Sequence, residues 1–235
     1  MRLLKRKLTA GDYLLIIVNL IPVYGVWFEG WNAAQIFLVY CLETVIIGLF
    51  TVVKLACVTI FVKPREEWNV AKGSAMATGL FFILFFMVHY GIFVFVQTQI
   101  FFGVSGLIKD GSLLGTYREI PRALGHEGRL LLLIFIVYYT LQTLYDFFLS
   151  GEYKTISMMK LMFQPYGRIF VQQFVVIIGS MFLTFGATRI FILVLALVKI
   201  YFESFIKFDR FIDVAEARAK QKKEFAEKGS SSPEQ

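Results

Sequence analysis

Glu43, His89, Lys199 and Asn19 each sit deep inside a long apolar run, and their side chains are the ones that could do chemistry in a hydrophobic interior. A carboxylate, an imidazole and an amine at similar depth are the components of a proton relay or of a pocket for an ion or small polar ligand. A second group, Lys54, Asp146, Arg168 and Glu203, falls nearer the ends of its runs. Each charge costs at least about 2.5 to 3.5 kcal/mol at the centre of a bilayer, so a chain that carries several is expected to pair them or use them. Glu43, Asp146 and Glu203 against Lys54, Lys199 and Arg168 balance in sign, as a desolvated network requires. Glu43 and Lys54 are eleven residues apart, which returns them to one helix face but separates them by about 16 Å along the axis. Glu203 follows Lys199 at i+4, a spacing that permits an ion pair along one helix. Span-opening Gln164-Pro165-Tyr166-Gly167-Arg168 leads to a polar pair, Gln172 and Gln173.

Two readings of these residues stand side by side. In one they line a hydrated interior, with Asn19, Glu43, His89 and Lys199 as a middle layer and Lys54, Asp146, Arg168 and Glu203 as an inner layer. In the other they only lock helices together, or snorkel to the interface as Lys54, Asp146 and Arg168 are long enough or near enough to do.

The elements that must hold them follow from composition. The chain has 235 residues, 57% hydrophobic and 17% charged, with 26 Phe. Its mean hydropathy is +0.67. An ordinary soluble domain carries roughly 25% charged residues, so this chain lacks the polar coat that water requires. Cys41 and Cys57 lie in apolar runs and outline no disulfide framework.

A spanning helix needs about 20 mostly apolar residues. Six segments qualify: Tyr13 to about Phe28, Ala33 to about Val62, Ala77 to Ser105, Leu130 to Leu149, Ile169 to about Gly186, and Ile190 to Phe208. The expected fold is an all-α polytopic membrane protein with residues 1–208 as a six-helix transmembrane domain. A β-barrel would show short segments of alternating polarity instead. The tail, residues 209–235, reads as a cytoplasmic helical extension whose Glu216 and Lys220 are four apart, followed by a disordered Gly229–Gln235 end.

Charge sets the orientation. Arg2, Lys5, Arg6 and Lys7 precede the first span, Lys63, Arg65 and Lys72 follow the second, Lys154, Lys160 and Arg168 lie between the fourth and fifth, and the tail is basic. Only Lys109, Arg118, Arg122, Arg129 and Arg189 fall on the other side. Both termini are therefore expected in the cytoplasm, with the protein in the inner (plasma) membrane. The net charge of +7 follows from this topology and calls for no nucleic acid. The basic N-terminus followed by Tyr24-Gly25-Val26-Trp27-Phe28 and Trp31 suits an anchored span with an interfacial aromatic belt rather than a cleaved leader.

The segment Gly106 to Arg129 reads as the longest external loop, broken by Gly111, Gly115, Pro121, Gly125 and Gly128, with an interfacial turn or short helix over Tyr117–Leu124. Gly103-Val104-Ser105-Gly106 has the look of a serine nucleophile motif, but it lacks a base. His126 is the other histidine and lies in that loop. No catalytic residue, metal site or cofactor is expected. Expected partners are the lipid bilayer, an ion or small polar ligand, and a second copy of the chain.

Trp31, Tyr40-Cys41-Leu42-Glu43-Thr44-Val45-Ile46-Ile47-Gly48 and Lys54, with Pro165-Tyr166-Gly167-Arg168, Ile177-Ile178-Gly179 and Lys199, resemble an uncharacterised family of bacterial and archaeal multi-pass membrane proteins, a domain of unknown function. The resemblance implies a polytopic membrane protein and places Glu43, Lys54, Arg168 and Lys199 in one site. The leading functional expectation is a transporter or channel-like protein with a charged interior pocket, the alternative a non-catalytic membrane scaffold or sensor. An intramembrane enzyme is the remaining reading.

Overall fold

The structure is a computed structural model that describes residues 10–62, 75–106, 113–186, 188–205 and 218. Every regular element among them is helical. The helices are α1 (Ala10–Phe28), α2 (Ala33–Cys57), α3 (Ala75–Ser105), α4 (Leu113–Ala123), α5 (Gly125–Gln142), α6 (Met158–Thr184) and α7 (Thr188–Phe205). The basic N-terminal residues, Gly111 and the tail from 209 (Arg218 apart) lie outside the described residues.

Local chemistry sets the boundaries. α1 closes on Gly25, whose carbonyl accepts from the amides of Glu29 and Trp31. Gly30 then takes φ +70, which only glycine adopts without strain. Asn32 opens α2 by accepting from the amides of Ala34 at 2.9 Å and Gln35 at 3.2 Å, so two of the orphan donors at the helix start are satisfied. Threonines inside the helices return their hydroxyls to their own backbone: Thr51 to Ile47, Thr59 to Leu55, Thr98 to Val94. No donor is left to face an apolar environment at these positions. α2 and α5 both end in a π-helical turn, over Val58–Val62 and Thr143–Leu149.

α2 is the central helix. It touches α3, α5, α6 and α7, while α1 packs on α7 and α3 on α6. The run Ile36 to Cys41 is buried all round, which is possible only for a helix with neighbours on every side. One apolar cluster joins Phe37, Phe101, Phe135 and Phe191 around the first half of α2. A second joins Leu55, Phe82, Phe86, Phe147, Leu161 and Ile169 around its end. Outside, large apolar residues such as Phe28, Phe61, Val88, Leu149 and Phe170 are exposed. Four segments, Gly11–Phe28, Ala33–Val62, Met76–Ser105 and Gly125–Leu149, are long and apolar enough to cross a membrane, and exposure of this kind is what lipid tolerates.

Two expected boundaries move. The segment expected as a broken external loop is largely helical where it is described: α4 covers Leu113–Ala123, and α5 starts at Gly125. One residue, Leu124, separates them, and Gly125 turns the chain with φ +64. Gly128 sits inside α5, buried against Val39 and Leu124. α6 begins at Met158, well before Ile169, and carries Pro165 inside it. That proline forfeits the bond to the Leu161 carbonyl, yet the helix continues because Leu161, Met162, Pro165 and Ile169 are all buried.

Candidate functional site

Four helices each place one polar side chain at a common point. α2 supplies Glu43, which is 0% exposed. α7 supplies Lys199, 7% exposed, whose Nζ forms an ion pair with Glu43 Oε2. From α5 the Tyr139 hydroxyl donates to Glu43 Oε1 at 2.5 Å. From α6 Arg168 Nη1 donates to that same hydroxyl oxygen at 3.3 Å. Tyr139 thus links the Glu43–Lys199 pair to a second cation.

The helical repeat explains the convergence. Phe135 and Tyr139 are four apart on α5, Arg168 and Gln172 four apart on α6, and Tyr40 and Glu43 three apart on α2, so each pair shares a face. The Lys199 ammonium lies 4.9 Å from the Tyr40 ring centre and 4.8 Å from that of Phe135, a double cation–π enclosure. Gln172 donates its side-chain amide to the Tyr40 carbonyl. The Tyr40 hydroxyl donates to the Asn19 carbonyl at 3.4 Å, and the Tyr90 hydroxyl donates to the Thr44 carbonyl at 2.9 Å. The network therefore reaches α1 on one side and α3 on the other.

The buried Glu43 carboxylate accepts from two donors, Tyr139 and Lys199, and separating the ion pair would leave each charge desolvated and alone. One carboxylate oxygen is thus taken by the Lys199 ammonium and the other by the Tyr139 phenol, with Arg168 one step further out on that hydroxyl. Tyr139→Phe keeps the ring and removes the bridge. It is expected to cost about 1.5 to 3 kcal/mol, the range for a hydrogen bond to a charged group, measured as a shift in the unfolding midpoint in detergent.

The other sequence candidates separate. Asn19 is buried, its side-chain amide donates to its own Leu15 carbonyl at 2.9 Å, and it meets the site through its backbone. His89, grouped by depth with Glu43 and Lys199, stands apart from their cluster on the outer side of α3 beside Tyr166. Lys54 lies over the Phe147 ring at 5.4 Å, and Asp146, next to that ring in the chain, is exposed. Arg168, grouped by depth with these two and by the resemblance with Glu43, Lys54 and Lys199, reaches the Glu43 cluster through the Tyr139 hydroxyl, whereas Lys54 meets the Phe147 ring. Lys199 turns to Glu43 across the helix interface; the Glu203 side chain lies outside the described residues. Sequence reasoning missed Tyr139 and Tyr40. The available signal was a tyrosine in mid-helix, whose hydroxyl needs a partner when buried in an apolar span. Ser105 closes α3, and His126 opens α5 on an exposed face.

Residues 1–228 match a family described as "Family of unknown function (DUF6498)". No curated protein and no solved structure matches the chain.

Proposed function

The chain belongs to this family of unknown function, and from that premise we propose that it is a six-span inner-membrane protein, both termini cytoplasmic, in which the Glu43–Lys199 pair is the working centre of a transporter or channel-like protein. The cargo is a proton, an ion or a small polar ligand. The observation that carries this reading is a carboxylate–ammonium pair buried where four helices meet, at a depth where charge is expensive. Protonating Glu43 would weaken its contacts with Lys199 and Tyr139 together. A single proton thereby acts on two helix contacts at once, α2 with α7 and α2 with α5, which is the form of a coupling site.

A second reading is supported by the closure of the same network. Both Glu43 oxygens are engaged and Lys199 lies between two rings, an arrangement that also suits a static lock in a scaffold or sensor. One experiment separates the two. The purified protein is reconstituted in liposomes loaded with a pH-sensitive dye, under imposed proton and monovalent-ion gradients. The transport reading expects the wild type to dissipate a gradient that empty liposomes hold, and Glu43→Gln to abolish the flux. Equal leakage from wild-type and empty liposomes would sink it and leave the lock.

A further inference from the structure

His89 lies near the centre of the candidate span Met76–Ser105, and it is exposed. By the 1.5 Å rise per residue it stands about 20 Å from the start of that span and about 24 Å from its end, so an α3 that crosses a bilayer holds an imidazole near the midplane, facing outward. The ring is held in place. Its Nδ1 lies 2.8 Å from the Tyr166 hydroxyl of α6. Phe85 stacks on one side with ring centres 5.3 Å apart and planes 12° apart, and Phe93 meets it edge-on at 5.3 Å. Phe85, Phe93 and Phe163, the last packed on Tyr166, are each about two-fifths exposed, so the imidazole sits on an open aromatic shelf between α3 and α6.

Tyr166 occupies one ring nitrogen and, among the described residues, is the hydrogen-bond partner of His89. The other nitrogen, Nε2, keeps its full capacity at a depth where no water is at hand, and an unsatisfied polar group there is costly. Phospholipid headgroups lie too far away, at the interface. A partner must itself dissolve in hydrocarbon, carry a hydrogen-bonding oxygen, and present a flat ring to the shelf.

We propose that this shelf binds the headgroup of a membrane-soluble quinone. Its two redox states fit the two tautomers of one imidazole. When the Tyr166 hydroxyl donates to Nδ1, Nε2–H donates to a quinone carbonyl. When Nδ1–H donates to Tyr166, Nε2 accepts from a quinol hydroxyl. The site is separate from the Glu43 cluster and rests only on α3 lying in the bilayer.

The chain has two histidines, so His126 serves as an internal control. The full-length protein, labelled with 15N-histidine, is placed in quinone-free phosphatidylcholine nanodiscs and titrated with decylubiquinone. The expected result is a saturable shift of the His89 imidazole signals with those of His126 unmoved. Saturable binding is lost in His89→Phe, which preserves the apolar shelf. It is about tenfold weaker in Tyr166→Phe, the equivalent of about one hydrogen bond. Shifts that rise without saturation, or equally at both histidines, would overturn the proposal. So would a His89 signal that ignores quinone and changes with the number of chains per disc, which would make this face a contact between copies. Resistance of the protein to alkaline carbonate extraction tests the membrane reading separately, so either failure can be recognised for what it is.

Discussion

Glu43→Ala is expected to destabilise the protein by about 3 to 5 kcal/mol, because it leaves the Lys199 ammonium buried between two rings with no counter-charge. Lys199→Met should cost a similar amount by stranding the carboxylate, less whatever the Tyr139 and Arg168 donors recover. The informative variant is the double one. Glu43→Gln with Lys199→Met replaces an ion pair by a neutral pair of nearly the same volume, and is expected to regain most of the stability that either single change loses. The readout is the unfolding midpoint of detergent-solubilised protein followed by tyrosine and tryptophan fluorescence. Ionic strength should barely alter these differences, since a pair this deeply buried is poorly screened. Single variants that melt with the wild type would mean that Glu43 and Lys199 are hydrated and apart. The stability cycle and the flux assay answer different questions: a lock predicts coupling without flux, a transporter predicts both.

Gly179→Leu is expected to prevent α6 from docking on α7. A Cβ built on Gly179 would fall within the van der Waals envelope of the Phe191 ring. That ring cannot yield, because it is 1% exposed, edge-on to Phe37 at 5.0 Å and stacked on Phe182 at 6.0 Å. Even Gly179→Ala should cost about 1 to 3 kcal/mol by overpacking, and the larger side chain should yield aggregated protein on size-exclusion chromatography. Lys199 reaches Glu43 from α7, so displaced α7 should also open the ion pair. The control is Gly91→Ala on α3, where an added Cβ meets nothing within 4 Å. That change should be neutral or slightly stabilising, since alanine is the better helix former. A Gly179→Leu protein as monodisperse and stable as the control would show that α6 and α7 do not pack as described.

Glu43 and Lys199, which the structure pairs, stand out in the sequence by a cost argument alone. A charge embedded in an apolar run is an expense whatever the fold, so it marks itself. Tyr139 carried no such mark, because tyrosine also serves at membrane interfaces, and its role depends on which residue of another helix its hydroxyl meets. The segment after Gly106 misled in a different way. Glycine and proline there read as breaks, but Pro121 and Gly128 sit within α4 and α5.

His89 shows where sequence reasoning stops. α3 is apolar around nearly its whole circumference, so no polar stripe says which side faces its neighbours, and a histidine on it could as well point in as out. The family resemblance read from α2 and α6 did lead to the right kind of relative, a family of unknown function, without bringing an activity with it.

By itself, then, the amino-acid order determined the helical class, the apolar segments and the short list of costly charges, because each is a local property of residue type and period. Only the tertiary structure decided which of those charges meet. It brought Glu43 and Arg168 to one phenol and Lys199 to the same carboxylate, left Lys54 on a different ring, and turned His89 outward. The reason is geometric. A helix of uniform polarity is free to rotate about its own axis until close contacts, such as Phe191 on Gly179 and Tyr90 on Gly48, pin it against its neighbours.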